Sequence, residues 1–325
     1  MSKTDLIMNQ LDKRVETRNE RRKFFKTAGG FAVGATAGAV LGACSSNSDT
    51  AIAQAPPAGA ANLDVEILNF ALQLEYLEAQ FYSYAAFGTG LPQSSLSGTG
   101  TQGAVIGGTQ VNFSDPLVRR YANEIAADEV AHVNFLRTAL GNAAVAQPVI
   151  DVGGTNPNGA FSQAARAAGL VGPGQAFNPY ADDNSFLLGA FIFEDVGVSL
   201  YKGASPLVTS KVFLEAAAGL LAVEAYHAGL VRTVLTAKGL EMPTLAISNA
   251  RDSLDGTSDL DQGITATGTG NAAASNIVPT DSNGLAYSRS VQQGLNIVYL
   301  TPGAGINRGG FFPNGLNGPT GFITT

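Results

Sequence analysis

Two histidines, one cysteine and no tryptophan are all that the 325 residues hold of those three types. A single cysteine excludes an internal disulfide framework, a Cys-rich zinc site and an iron–sulfur cluster, so stability must come from packing or from metal held by other donors. Charge is scarce as well, at 14% of residues, and the balance is acidic at −7. Such a chain repels phosphate backbones, which excludes a nucleic-acid partner. What the chain has in plenty is hydrophobic residues, 45%, and glycine, 39 residues, the composition of a globular core with extensive loops.

The cations sit largely at one end: Lys3, Lys13, Arg14, Arg18, Arg21, Arg22, Lys23 and Lys26 all precede residue 27. Within them "ERRKFFK", with Arg21 and Arg22 as twin arginines, leads into the mild run "AGGFAVGATAGAVLGA", which ends at Ala43. This pattern predicts a twin-arginine export signal over residues 1–43, with the export machinery as partner and the periplasm or cell envelope as destination. The run is 16 residues long and rich in Gly and Ala, too short and too weakly apolar to span a bilayer stably. Without residues 1–43, 11 Lys+Arg face 22 Asp+Glu, a surface that also repels anionic lipid. Cys44 closes "LGAC", the shape of a lipobox, so the expected membrane link is a lipid on Cys44; the competing reading is cleavage after Ala51–Ala53, "AIA", and a soluble exported protein. Residues 44–62 read as a flexible linker.

Four apolar-periodic segments follow, each long enough for a helix. They are Asp64–Phe87, opened by Asn62 or Asp64; Pro116–Leu140, opened by "SDP"; Asp183–Lys202, closed by Gly203; and a segment from Pro206 or Ser210 to Gly239. A Gly/Thr/Ser-rich stretch that could hold a β-hairpin separates the first two. A long connection from Gly141 to Asp182, containing the short helical piece "GAFSQAARAAGL", links the halves. The last two helices are joined closely, hence antiparallel. The predicted fold is all-α: a ferritin-like four-helix bundle over residues 63–240 with one long crossover, a plain up-and-down bundle being the alternative. Residues 241–325 form a loop-rich extension with one or two short helices, packed on the bundle or on an oligomer interface, so a homo-oligomer is compatible with the sequence.

Each histidine has a glutamate three residues upstream: Glu129 with His132 on the second helix, Glu224 with His227 on the fourth. Residues three apart share a helix face. The first and third helices each carry a glutamate followed seven residues later by a tyrosine, Glu75 with Tyr82 and Glu194 with Tyr201. One Glu from each of two helices plus Glu-x-x-His from each of the others is the di-iron or di-manganese carboxylate arrangement. Hard carboxylates with one imidazole per ion suit two Fe or Mn ions, and two divalent cations would cancel four buried negative charges. A lone Glu-x-x-His is often only a solvated helix pair, but here the pattern occurs in both halves. Glu78 could replace Glu75 or add a ligand; its counterpart on the third helix is Gly197. Tyr82 and Tyr201, the candidate catalytic side chains behind the ligands, either hydrogen-bond ligand carboxylates or are core aromatics. Asp128, Asp195 and Tyr226 flank the ligands as orienting or solvated groups.

The segments "LNFALQLEYLEAQFYSYA", "EVAHVNFLRTALG", "FNPYADDNSFLLGAFIFEDVGVSLYKGA" and "GGFFPNGLNG" resemble the ferritin-like domain family that includes plant desiccation-related proteins and exported bacterial homologues. The resemblance covers about residue 61 to the end and implies a ferritin-like four-helix fold. Its metal motifs are shared with rubrerythrins, bacterioferritins and manganese catalases, so they point to the superfamily more firmly than to one activity. Reaction of a dimetal site with peroxide or dioxygen, as ferroxidase, peroxidase or catalase, is the expected function. The alternative is a stress- or desiccation-protective protein in which metal only staples the bundle. Catalase-type dismutation needs no external electron donor, which suits the cell envelope; iron storage is disfavoured, since a tether or long tail would obstruct a closed shell.

Overall fold

The structure, a computed structural model, describes residues 58–318. The export signal, Arg21, Arg22 and Cys44 lie outside the described residues.

Helix α1 spans Ala58–Phe87, α2 Pro116–Leu140, α3 Ala160–Ala167, α4 Asp183–Ala204, α5 Lys211–Ala237, α6 Glu241–Asp255 and α7 Val291–Val298. The chain is thus mostly helical, with α1 packed along α2 and α4 along α5 as two hairpins. The long connection between α2 and α4 joins them, as in a ferritin-like bundle. Caps mark the helix starts: Asp115 accepts from the Leu117 amide, Asp182 from Ser185 and Ser210 from Phe213. Positive-φ glycines follow the ends, Gly88 after α1 and Gly239 after α5.

Three local expectations change. Helix α1 begins at Ala58, where alanines at 58, 60 and 61 favour helix, so Asn62 and Asp64 lie inside it and neither is its cap. Asp64 instead accepts from the Thr209 amide at 2.8 Å and the Ser210 amide at 2.9 Å, tying the start of α5 to α1. Gly203 does not end α4. It is glycine because a Cβ there would lie 1.9 Å from the Arg289 carbonyl oxygen, where the C-terminal extension crosses the helix. The stretch between α1 and α2 forms no hairpin. Its strand β1, Val105–Ile106, pairs in parallel with β2, Ile150–Asp151, from the crossover, so the two long loops zip to each other.

Helices α1 and α4 are buried nearly all round, because the crossover and extension cover them. Phe311, from "GGFFPNG", stacks edge-on against Phe193 at 4.9 Å and Phe161 at 5.1 Å, joining the tail to α4 and α3. Phe311 and Phe312 are fully buried, each worth about 1.5–3 kcal/mol of transfer free energy. Helix α5 is long and apolar enough to cross a membrane by length and composition, yet Glu224, His227 and Arg232 are buried on its inner face. Those groups mark it as a core helix of the bundle.

A buried ion network pins the extension. Arg232 reaches Asp195 at 2.8 Å; Arg251 reaches Asp195 at 3.2 Å and Asp261 at 2.9 Å; Arg289 reaches Asp255 at 2.7 Å and Asp261 at 2.5 Å. Three arginines and three aspartates balance, as buried charges must.

Candidate metal centre

The 3.6-residue period turns Glu129 and His132 inward from α2, and Glu224 and His227 inward from α5. Glu75 on α1 and Glu194 on α4 face the same interior. All six are buried, Glu129 and Glu224 completely. His132 Nδ1 lies 3.1 Å from Glu75 Oε2, 3.5 Å from Glu129 Oε2 and 3.5 Å from Glu224 Oε1. His227 Nδ1 lies 3.1 Å from Glu129 Oε1 and 3.8 Å from Glu194 Oε2. Glu129 therefore offers one oxygen to each imidazole, and the two rings stand 6.2 Å apart. One ligand atom from each of Glu75, Glu129, His132 and Glu224 falls within 4.8 Å of the others, close enough to hold one cation.

The tyrosines cross between halves. Tyr82 of α1 donates its hydroxyl to Glu194 of α4, and Tyr201 of α4 donates to Glu75 of α1. Burial pushes both phenols well above their ordinary pKa, and the carboxylates they touch push further, so both stay protonated donors.

Glu75, rather than Glu78, makes the contact with His132. Glu78 is buried three residues on, with Gly197 opposite it on α4: a Cβ on Gly197 would lie 2.6 Å from Glu224 Oε2 and 3.7 Å from Glu78 Oε1. Of the flanking residues, Asp128 approaches His227 Nε2 at 3.5 Å, on the side of the ring away from the cluster. A carboxylate there orients a metal-binding imidazole. Asp195 turns away into the arginine network, and Tyr226 is 79% exposed and touches nothing in the centre. The role of Asp195 was invisible in the sequence, because its partners lie 37 and 56 residues away with no local spacing to mark them.

Electrostatics favour a cation here. Burial pushes Glu75 up to about 8 against the pull of His132. Burial and neighbouring carboxylates push Glu78 and Glu194 well above the usual range and raise Glu224. Glu129 goes the other way: burial opposes ionisation, but an imidazole at each oxygen outweighs it and holds the group below the usual carboxylate range. Against the cost of burial, Asp128 and Glu129 raise His227 to about 11, and Glu75, Glu129 and Glu224 raise His132. Carboxyl groups this close and this buried resist ionising together unless a cation sits among them.

Several of these groups also lack a partner. Both oxygens of Glu129, both of Glu224, Glu194 Oε2 and His227 Nδ1 are buried without a hydrogen bond. Buried polar atoms are nearly always paired, and this group of orphans points into one shared space. Charged oxygen and nitrogen donors at that density fit a metal.

Residues 63–237 match the ferritin-like domain. The chain belongs to the ferritin-like domain family. It is 29% identical over 280 residues to ferritin-like catalase Nec2 of Nesocodon mauritianus, covering 80% of this chain and 85% of that one. It is 28% identical over 249 residues to the desiccation-related protein PCC13-62 of Craterostigma plantagineum, covering 71% and 76%. No solved structure matches the chain significantly.

Proposed function

We propose that this chain is a catalase-like protein that holds two Fe or Mn ions in the bundle and disproportionates hydrogen peroxide. The observation that carries the reading is Glu129, buried, free of hydrogen bonds and shared between His132 and His227. Glu75, Glu129, His132 and Glu224 would hold one ion, and Glu194 and His227 beside Glu129 would hold the other. When bound, such a pair supplies two electrons and takes them back. The reaction balances without an outside donor: one peroxide takes up two electrons and two protons to give two waters, and a second gives up the same to leave as dioxygen.

The chain's own residues orient and enclose. Tyr82 and Tyr201 fix Glu194 and Glu75 by donating to one oxygen of each; the second oxygen of Glu194 is left without a hydrogen bond, and that of Glu75 faces His132. Asp128 steadies His227 from outside. The surrounding apolar core excludes bulk water and strengthens every interaction within it. The similarity to a protein named as a catalase supports peroxide as the oxidant over dioxygen. Export by the twin-arginine signal over 1–43, with lipid on Cys44, would carry the folded, loaded protein to the cell envelope.

The test is an oxygen electrode. Metal-loaded protein should release one dioxygen for every two peroxides consumed, and His132→Ala should not. The similarity to a desiccation-related protein favours a second reading, in which metal only stabilises the bundle. In that case loaded protein melts higher than metal-free protein but leaves peroxide untouched.

A further inference from the structure

A cavity of about 40 Å³ lies on the seam between α1 and α4, beside the centre. Its position follows from helical period. Ile67, Ala71, Leu74 and Glu78 fall on one face of α1, and Gly197, Leu200, Tyr201 and Ala204 on one face of α4. The outer walls are apolar, with Ile67, Phe70, Leu200 and Val208 among them. Glu75, Glu78, Glu224 and Tyr201 line its inner end. Ala71, Leu74, Ala204 and Ser205 are partly exposed and form the mouth.

Two features set this cavity apart from a packing defect. It ends on two of the orphan-bearing or metal-facing carboxylates, and it exists because the two halves differ at one place. Where α1 carries Glu78, α4 carries Gly197, and any side chain there would press on Glu224. Glu78 lines the space that Gly197 leaves, its Oε1 3.7 Å from where a Cβ on Gly197 would lie.

We infer that this cavity is the docking pocket and entry route for a small, uncharged peroxide, and that Gly197 keeps it open at the metal end. The inference rests on the peroxide reading. The volume admits a molecule the size of one to a few waters, by the usual figure of roughly 10–15 Å³ per water site. Hydrogen peroxide fits that limit and is neutral, and at the inner end its hydroxyls meet Glu78 and Tyr201. Anions are refused by apolar walls that lead to carboxylates, and alkyl hydroperoxides by size.

Gly197 itself touches the ligand set, so the test uses the mouth. Two variants, Ala71→Phe on α1 and Ala204→Phe on α4, close it from opposite lips, and Leu74→Ala widens it. Three readouts are taken on metal-loaded protein: metal per chain, xenon binding by NMR, and kcat/KM for hydrogen peroxide and tert-butyl hydroperoxide. The expected result is xenon bound by the wild type and lost in both Phe variants, with metal unchanged and kcat/KM for hydrogen peroxide down about tenfold or more. Leu74→Ala should gain turnover of tert-butyl hydroperoxide. A wild type that turns over peroxide, with both Phe variants still binding xenon and retaining full kcat/KM, overturns the pocket alone. A wild type that binds xenon but leaves peroxide untouched overturns the peroxide reading, and with it the substrate assigned here.

Discussion

Tyr201, on α4, donates its hydroxyl to Glu75, on α1, across the middle of the bundle. The same bond runs in the opposite direction from Tyr82 on α1 to Glu194 on α4. Each half of the protein thus holds a carboxylate of the other half, so the centre is assembled only when both hairpins have docked.

Removing one phenol should loosen one ion and spare the other. Tyr201→Phe and Tyr82→Phe are expected to fold normally and to lose about 10–100-fold in affinity for one of the two metals, the usual effect of deleting a group that orients a ligand. Competition with a chelator, followed by metal analysis, would show a biphasic release absent from the wild type. A monophasic, unchanged release would mean the phenols are core aromatics only.

That crossed arrangement was half legible in the sequence. Glu75 with Tyr82, Glu194 with Tyr201, and the two Glu-x-x-His pairs each lie within one helix, where spacing alone decides which face a residue takes. Which tyrosine serves which glutamate was not legible, because it depends on how α1 meets α4. The same limit hid Asp64 at the start of α5 and the parallel pairing of Val105–Ile106 with Ile150–Asp151. In each case the deciding partner comes from a distant part of the chain.

Metal-free protein should lose stability as pH rises from about 5 toward 8. In that window Glu75, with its folded pKa near 8, and His227, with its folded pKa near 11, keep protons that the unfolded chain gives up. The folded state binds more protons there, so stability falls with pH. Glu129, shifted downward, acts only at lower pH. Loading replaces those protons with metal, so the loaded protein should show little of this slope, and metal affinity should increase with pH. Melting temperatures of both forms across this range check the sign; a metal-free form that gains stability toward pH 8 contradicts it.

At ambient pH, stripping metal should lower the melting temperature by about 10 °C. A ligand present at a thousand times its Kd contributes about 4 kcal/mol, and a domain of this size shifts by about 2–4 °C per kcal/mol. Calorimetry before and after chelation measures the difference directly.

The extension should come loose when its buried arginine is removed. Arg232 donates to Asp195 and to the carbonyl oxygens of Gln262, Gly263, Asn276 and Ile277. Arg232→Ala strands those acceptors in the interior, at a cost of about 3–5 kcal/mol. Limited proteolysis should then cut between residues 256 and 290 at rates that leave the wild type intact, and cleavage elsewhere first would argue against this anchor.

The most direct test of the dimetal centre is metal per chain, by elemental analysis, for the wild type beside His132→Ala and His227→Ala. The four-helix site predicts about two Fe or Mn per chain in the wild type, with a marked loss in each variant. A wild type without transition metal, or variants that retain it in full, would contradict the account and leave both histidines as core residues of a structural bundle.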